Sequence, residues 1–196
     1  MTFQQLIGKA APPITLPNYD GETYAWKAGV SGLPTALFFY PQSGSYGCTR
    51  EACQFRDAIA EKDIFGTDKV QIIGISIDAV EKQKVFVERQ KLTYPVLSDV
   101  HKETVTAYGV GSGMMGLVGV ARVTFIVDKK GIVRDAIEAT MNYGAHSKFV
   151  EKWLEKFAEE DKEAAAAQPP TATTTAAEPQ PAAATDTYEV ERCKGG

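Results

Sequence analysis

One segment of the chain, residues 41–53, restricts the possible folds more than any other. It follows an apolar run at 35–40, which has the composition of a buried β-strand, and it precedes an amphipathic stretch at 55–59 that is typical of a helix. Because the connecting residues are rich in proline, glycine and serine, a strand, a tight loop and a helix are predicted in that order. Cys48 then lies at the beginning of the helix, and Cys53 lies five residues further along.

The position of Cys48 favours a reactive thiol. Unpaired backbone N–H groups and the positive end of the helix dipole stabilise a thiolate at a helix N terminus. We therefore interpret this segment as a site of thiol redox chemistry. Two other interpretations stay open: both cysteines could be small buried hydrophobic side chains, or they could bind a metal. A metal is disfavoured because Cys-x4-Cys lacks a second ligand pair, and His101 and His146 are predicted at the surface or at helix ends.

The spacing of the two cysteines restricts how they can react with each other. With a helical period, Cys48, Ala52, Phe55 and Ile59 share the face that packs on a sheet, and Cys53 is rotated away from Cys48 by about 140°. In a regular helix the two Cα atoms are about 8–9 Å apart, whereas a disulfide tolerates at most about 6.8 Å. A disulfide between them would therefore require the first turns of the helix to unwind.

The composition narrows the class of protein. The 196 residues are 44% hydrophobic, which is enough for a full core, and the formal net charge of −4 gives no electrostatic reason to bind nucleic acid or an anionic membrane. No apolar run approaches the ~20 residues of a membrane span. Three cysteines do not make a secreted disulfide scaffold, and the first residues lack the pattern of a targeting leader. An intracellular protein is expected, in the cytoplasm, with the nucleus as the alternative.

Two regions are predicted along the chain. Residues 1–160 are expected to form one folded domain. Residues 161–196 are dominated by alanine, proline, threonine and glutamate, and they carry too little bulky apolar surface to offset the entropy of ordering, so this tail is expected to be disordered. Cys193 is expected to be a solvent-exposed thiol within it.

Strands and helices alternate in the predicted domain. A hairpin or extended arm is predicted at 3–26, strands at 34–40, 70–77, 123–128 and 132–137, a short extended segment at 95–97, and helices at 47–62, 79–91, 101–108 and 145–160. Val80, Lys84 and Val87 are expected along one side of the second helix, and Phe149, Trp153 and Phe157 are expected as the buried stripe of the last. This order predicts an α/β fold, a three-layer sandwich around a mixed central sheet.

Three separated motifs in this sequence resemble one family. Pro41-x3-Ser45-x2-Cys48 is similar to the Pro-x3-Thr/Ser-x2-Cys pattern of peroxiredoxin active sites, and the residues at 48–53 resemble the Cys-Thr-x-Glu-x-Cys of the bacterioferritin-comigratory (Q-type) subfamily. The segments at 108–116 and 122–128 resemble those that surround the essential arginine of that subfamily. The resemblance extends from about residue 6 to residue 158, and it implies a thioredoxin-like fold.

The resemblance implies roles for the two cysteines of an atypical two-cysteine thiol peroxidase. Cys48 would be the peroxidatic nucleophile, which attacks the O–O bond of hydrogen peroxide or an organic hydroperoxide and becomes a sulfenic acid. Cys53 would be the resolving thiol that closes an intramolecular disulfide. Thioredoxin or a related dithiol would reduce that disulfide. The resemblance further favours a monomer, with a weak dimer as the alternative. No metal and no cofactor are expected.

Four neighbouring residues also receive roles from the resemblance. Arg122 would hold a positive charge beside the thiol and stabilise charge on the peroxide oxygens. Ser45 would hydrogen-bond the thiolate and the peroxide, Pro41 would shield the pocket, and Glu51 would orient Arg122. The plain alternatives are a surface arginine, a serine that caps the loop, a turn proline and a first-turn glutamate favoured by the helix dipole.

Two other functions compete with a peroxidase. A general disulfide oxidoreductase on the same fold is weakened by the absence of Cys-x-x-Cys. A redox sensor, in which oxidation unwinds the helix and exposes a surface for a partner, would show stoichiometric oxidation and slow reduction. Peroxide consumption coupled to thioredoxin would distinguish a peroxidase from these two alternatives.

Overall fold

A five-stranded mixed sheet organises the chain. The structure is a computed structural model, and it describes residues 2–113 and 116–167. An N-terminal hairpin is made of β1 (Ile14–Pro17) and β2 (Thr23–Trp26). The strands of the central sheet are β3 (Thr35–Phe39), β4 (Gln71–Ser76), β5 (Val96–Ser98), β6 (Val123–Val127) and β7 (Val133–Glu138). The helices are α1 (Tyr46–Glu61), α2 (Val80–Gln90), α3 (Glu103–Ala107) and α4 (Tyr143–Ala167), and short 3-10 helices lie at Phe3–Leu6 and Asp63–Phe65.

The pairing of the strands explains why the sheet is mixed. The order across the sheet is β5-β4-β3-β6-β7. β4 pairs in parallel with β3 and with β5, whereas β6 runs antiparallel to both β3 and β7. The parallel pairs are connected through α1 and α2, as crossovers require, and β6 and β7 are joined by a tight turn. The central strand β3 is completely buried.

Two hydrophobic cores cover the two faces of the sheet. Successive side chains of a strand point to opposite faces, so Leu37 and Phe39 pack with the N-terminal hairpin and α3, whereas Ala36 and Phe38 pack beneath α1, α2 and α4. Cys48 belongs to the second core. These layers confirm the predicted three-layer α/β sandwich with a mixed sheet, and the predicted N-terminal hairpin is present.

Two predicted helix faces are wrong. In α2 the buried residues are Gln83, Phe86 and Val87 rather than Val80, Lys84 and Val87. In α4 the buried stripe runs through His146, Val150, Leu154 and Phe157, while Phe149 and Trp153 are only partly buried. Trp153 lies at the edge of the core because its ring packs on the Arg134 guanidinium and its Nε1 donates to Asp135.

The last helix is longer than the sequence predicted. It begins at Tyr143 and ends at Ala167, so the first seven residues of the predicted tail, 161–167, continue α4. The remainder of that tail, including Cys193, lies outside the described residues, as does Met115 of the resemblance. Within residues 2–113 and 116–167, none of the helices has the combination of length and apolarity that a membrane crossing requires.

Gly74 provides a test of the packing beneath α1. A Cβ at this position of β4 would lie 2.7 Å from Cζ of Phe38, which is fully buried. We expect Gly74→Ala to lower the free energy of unfolding by about 1–3 kcal/mol, since an added methyl group overpacks a dense core. Denaturant unfolding measures the change. Gly111→Ala is the matched control, because a Cβ there meets no atom within 4 Å; equal losses in the two variants would contradict the described packing.

Candidate active site

The loop before Cys48 is fixed to the end of the neighbouring strand. The Ser43 backbone N–H donates to Asp78 Oδ2 (2.6 Å), and Asp78 follows β4. Tyr40 is buried, and its hydroxyl lies 3.0 Å from Ser43 Oγ and donates to Gln83 Oε1 of α2 at 3.0 Å. Gly44 adopts a φ of 81°, a left-handed conformation that glycine tolerates best, and it allows the chain to turn into α1. The loop that precedes Cys48 is therefore fixed by hydrogen bonds to the end of β4 and, through Tyr40, to α2.

Cys48 and Arg122 are brought together by the strand pairing. Cys48 is in the first turn of α1 and is 1% exposed. Arg122 directly precedes β6, which pairs antiparallel with β3, so that Val123 lies opposite Phe39 at the edge of the sheet from which the cysteine loop departs. Arg122 Nη2 donates to Cys48 Sγ at 3.3 Å. A cationic hydrogen-bond donor therefore faces the buried sulfur directly.

The guanidinium of Arg122 is held on several sides. Its Nη1 donates to Glu51 Oε2, its Nε donates to the carbonyl of Thr140 at 3.4 Å, and its Cζ lies 5.1 Å from the centroid of the Tyr143 ring. Burial disfavours the charge, but the nearby Glu51 and Cys48 outweigh that effect and raise the pKa of Arg122. The residue therefore stays a fixed cation, and its orientation toward the sulfur is set by its neighbours.

Glu51 is one turn beyond Cys48 on the same face of α1 and is completely buried. Burial raises the pKa of Glu51 to about 7, an effect that the Arg122 charge only partly opposes. Glu51, which the resemblance places beside Arg122, thus contacts its guanidinium inside the protein. It is not an exposed first-turn acid.

Cys53 faces a different neighbour from Cys48. It is partly buried, and its Sγ lies 3.5 Å from Gln90 Oε1 at the end of α2. Burial raises the pKa of the Cys53 thiol. Because both cysteines belong to the continuous helix α1, their Cα atoms are about 8–9 Å apart. The helix as it stands keeps the two sulfurs apart.

The segment of α1 that follows Cys53 is attached to the α2 side of the core. The buried Tyr94 hydroxyl donates to the carbonyl of Ala52 at 2.8 Å, and Arg56 Nη1 donates to the carbonyl of Gln90. These contacts hold α1 from residue 52 onward. Between the cysteines, α1 is thus held at Ala52 by Tyr94 and, before it, at Glu51 and Cys48 by Arg122.

The other two residues of the motif lie at the rim of the loop. Ser45 precedes α1 and is partly exposed, and its hydroxyl donates to the carbonyl of Gln42 (3.0 Å) rather than to the Cys48 sulfur. Pro41 is partly buried at the beginning of the loop. Both are therefore close to Cys48 along the chain, and their predicted roles toward thiol and peroxide stay predictions.

Sequence reasoning missed two residues of the site. Tyr143, at the beginning of α4, covers the Arg122 guanidinium, and a Cβ on Gly47 would collide with its ring. His146 was predicted at the surface or at a helix end, but it is completely buried, with Nδ1 2.8 Å from Thr124 Oγ1 and 3.5 Å from Glu51 Oε1. Neither residue lies in a motif around the cysteines. The only signal was the helical spacing of His146 with Val150 and Leu154.

The arrangement can perform thiol chemistry with an electron-poor partner. The thiol and the cation meet where strand β3 passes into α1. The part of the chain that is described has no group of three His, Cys, Asp or Glu side chains that could hold a metal ion. A cysteine at the N terminus of this helix, on a sheet of this topology, defines a thiol-based redox protein with a thioredoxin-like fold.

Comparison with known proteins gives the family. The model of the AhpC/TSA family matches residues 7–136. A putative peroxiredoxin of Mycobacterium tuberculosis is 36% identical over 141 residues, which cover 71% of this chain and 90% of the relative. The chloroplastic peroxiredoxin Q of Sedum lineare is 33% identical over 127 residues, which cover 65% of this chain and 66% of the relative.

Solved structures show the same likeness. The crystal structure of peroxidoxin BcpB from Mycobacterium tuberculosis has a TM-score of 0.67 and 33% identity, covering 76% of this chain and 96% of the other. The bacterioferritin comigratory protein of Xanthomonas campestris, described with an alkyl peroxide reduction activity, has a TM-score of 0.64 and 26% identity, covering 74% and 92%. The chain belongs to the AhpC/TSA family, as a peroxiredoxin of the bacterioferritin-comigratory (Q-type) subfamily. It is therefore a peroxidase, an antioxidant oxidoreductase.

The buried carboxyl group of Glu51 predicts a pH-dependent stability. Its pKa is about 7 in the folded protein, above the ordinary value of 4.5. The folded state therefore binds more protons between these values, so the contribution of Glu51 to the free energy of unfolding is complete below about pH 4.5 and is lost as the pH rises to about 7. Glutamine does not titrate. We expect the stability of the wild type relative to Glu51→Gln to fall, by at most about 3 kcal/mol, between pH 4.5 and pH 8.

Urea unfolding of both proteins across this range measures the difference. The pKa of His146 is lowered by burial to about 4, so its contribution has the opposite sign: it is present above about pH 6.5 and lost as the pH falls to about 4. Both proteins contain His146, so this contribution largely cancels in the comparison. A stability difference that stays constant, or grows with pH, would show that Glu51 is not the buried titrating group.

Proposed function

We propose that this peroxiredoxin reduces hydrogen peroxide and organic hydroperoxides through Cys48 and resolves the product with Cys53. In the first step the Cys48 thiolate attacks one oxygen of the peroxide, the O–O bond breaks, and the released alkoxide or hydroxide takes up a proton, leaving Cys48 as a sulfenic acid. In the second step the Cys53 sulfur attacks the Cys48 sulfur and water leaves. The resulting disulfide is reduced to two thiols by an external dithiol.

The observation that carries this proposal is the hydrogen bond from Arg122 to the buried Cys48 sulfur. A free cysteine is a few per cent thiolate near pH 7, so complete ionisation can raise its rate by only a few tens of times. The rest of an efficient reaction requires orientation of the peroxide and stabilisation of the charge that develops on its oxygens. The fixed cation beside the sulfur, with loop N–H groups at the beginning of α1, is the arrangement that such stabilisation needs.

Ser45 and Pro41 complete the proposed pocket. Because the single hydroxyl hydrogen of Ser45 already binds the Gln42 carbonyl, its free lone pairs are left to accept a hydrogen bond from the peroxide O–H. Pro41 limits the access of water at the entrance of the loop. The place of both residues in the pocket comes from the family resemblance, which has the Ser45 hydroxyl as a donor to thiolate and peroxide. Its accepting role toward the peroxide is proposed from its bond to Gln42.

Peptide mapping after one equivalent of hydrogen peroxide tests the mechanism. In the wild type we expect a disulfide between Cys48 and Cys53. In Cys53→Ser we expect a sulfenic acid on Cys48 that reacts with dimedone, because the resolving thiol is absent. Cys48→Ser, as the matched control, should consume no peroxide. A wild-type protein that consumes peroxide without this disulfide, or a Cys48→Ser variant that retains activity, would contradict the proposal.

The recycling step is proposed to use thioredoxin or a related dithiol. A coupled assay with thioredoxin, thioredoxin reductase and NADPH tests it, and oxidation of NADPH that depends on both peroxide and thioredoxin is the expected result. Action as a monomer in the cytoplasm stays a prediction from the sequence. The peroxiredoxin Q of Sedum lineare is chloroplastic by name, and the names of the relatives give the nuclear alternative no support.

Disulfide formation requires α1 to unwind, and Tyr94 is placed to control this step. Its hydroxyl binds the Ala52 carbonyl, between the two cysteines. We expect Tyr94→Phe to accelerate conversion of the sulfenic acid to the disulfide about two- to tenfold, because one hydrogen bond that holds the helix is lost while the ring is kept. Rapid-quench mass spectrometry measures the rate.

Tyr108→Phe is the matched control for this prediction. It removes the same hydroxyl from the opposite face of the sheet, where Tyr108 donates to the carbonyl of Pro12 at 2.7 Å. It should lower thermal stability without changing the rate of disulfide formation. Equal acceleration in both variants would mean that general loosening of the fold, and not the contact to α1, governs the step.

A further inference from the structure

One aromatic side chain lies against both the guanidinium of Arg122 and the helix that carries Cys48. The Cζ of Arg122 lies 5.1 Å from the centroid of the Tyr143 ring. The same ring lies against Gly47 in the first turn of α1, where a Cβ would be 2.4 Å from Cε1 and 2.6 Å from Cζ of Tyr143. The proposed reaction gives neither Tyr143 nor Gly47 a part.

The Tyr143 ring fills the space that Gly47 leaves. Gly47 is buried and lies in the helical backbone of α1, where alanine is the more stable residue. The local backbone therefore gives no reason for a glycine. The three atoms nearest to the position of a Cβ all belong to Tyr143, namely Cε1, Cζ and the hydroxyl oxygen. A larger residue at position 47 would have to push this ring away.

The Tyr143 ring is held in place by its surroundings. Tyr143 is the first residue of α4, and the buried side chains of His146 and Val150 fix that helix to the core. Tyr46 packs edge-on against the ring, with centroids 6.2 Å apart and an interplanar angle of 79°. Among the described hydrogen bonds, the hydroxyl has a single weak one, to Met141 Sδ at 4.0 Å. The ring therefore makes the contacts that fix this side chain.

The ring can act on the reaction through the cation. Arg122 is 5% exposed, and the attraction of a cation to an aromatic face is strongest when the cation is out of water. In a site of low dielectric the guanidinium also acts strongly on the Cys48 sulfur, which lies 3.3 Å from Nη2. Without the ring, water would enter beside the guanidinium and weaken its effect on the charge that develops on the peroxide oxygens.

We propose that Tyr143 is a positioning residue for the peroxidase reaction: its ring keeps the Arg122 guanidinium against the first turn of α1, and Gly47 provides the space in which the ring lies. Because Tyr143 belongs to α4, it joins that helix and the arginine to the turn that carries Cys48. This inference rests on the proposed roles of Cys48 and Arg122.

Substitutions of Tyr143 separate its ring from its hydroxyl. In Tyr143→Leu we expect the rate constant of Cys48 with hydrogen peroxide, measured by stopped flow, to fall about tenfold because the aromatic face is lost. Tyr143→Phe keeps the ring and should stay within about twofold of the wild type. Trp153→Leu is the matched control, since Trp153 packs on another guanidinium, that of Arg134, further along α4, and it should leave the rate unchanged. A wild-type rate in Tyr143→Leu, or an equal loss in either of the other variants, would overturn the proposal.

A double-mutant cycle with Gly47 tests the contact itself. Gly47→Ala places a methyl group where the Tyr143 ring lies, and it should lower the rate constant about fivefold by displacing the ring from Arg122. Leucine has none of the three atoms nearest to the added Cβ. Gly47→Ala should therefore change the rate less than about twofold in the Tyr143→Leu background. The same loss in both backgrounds would show that Gly47 acts by another route, and it would overturn the proposed pairing.

A spectroscopic measurement keeps the test independent of activity and of the folding of these variants. In the wild type, the Tyr143 ring protons should show nuclear Overhauser effects to the Gly47 Hα protons and to the Arg122 side chain. The absence of either effect would overturn the inference even if the substituted proteins fail to fold. The same effects are expected in Cys48→Ser, so failure of the proposed function and failure of this contact remain distinguishable.

Discussion

The arrangement of this protein depends on one buried interaction, the contact of the Arg122 guanidinium with Glu51 on one side and the Cys48 sulfur on the other. Removing both charges from water is costly, and breaking such a pair by deleting one partner costs about 3–5 kcal/mol. The fold supplies what the pair needs: a backbone carbonyl for Nε, an aromatic ring over the guanidinium and a helix N terminus beneath the thiol. The polar groups of this part of the core are therefore arranged around the Arg122 guanidinium.

The helix that carries the cysteine has two requirements that conflict. It has to be intact for its N terminus to stabilise the thiolate, and in the proposed cycle it has to unwind for Cys53 to reach Cys48. The contacts divide the helix accordingly. From residue 52 onward it is attached to Tyr94 and to the end of α2, whereas the first turn is attached mainly through Glu51 and Cys48 themselves. The first turn, which opens in the proposed cycle, is thus held by the residues to which the proposed chemistry is assigned.

Most of the fold, and the cysteine site along the chain, could be predicted from the sequence, because long apolar runs with β-branched residues are bounded by glycine and proline. The buried face of α4 could not. Aromatic residues at 149 and 153 and aliphatic residues at 150 and 154 give two stripes of similar hydrophobicity. In the structure the aliphatic stripe packs inward, and Trp153 lies at the edge of the core against Arg134. The burial of His146 at the site could not be predicted either, since a single histidine has no periodic pattern. Its burial results from contacts with Thr124 in β6 and Glu51 in α1, which only the three-dimensional arrangement brings together.

The position of Glu51 between the two cysteines couples the chemistry to the fold. Any unwinding that brings Cys48 to Cys53 also moves Glu51, because it lies within the segment that opens, and so separates it from Arg122 and from His146. Oxidation in the proposed cycle therefore breaks the contacts of Arg122 with Glu51 and with Cys48. In the proposed cycle, reduction of the disulfide allows the helix to close and returns Arg122 to the Cys48 sulfur, so the contact that is proposed to activate the thiol is re-formed each time the cycle is completed.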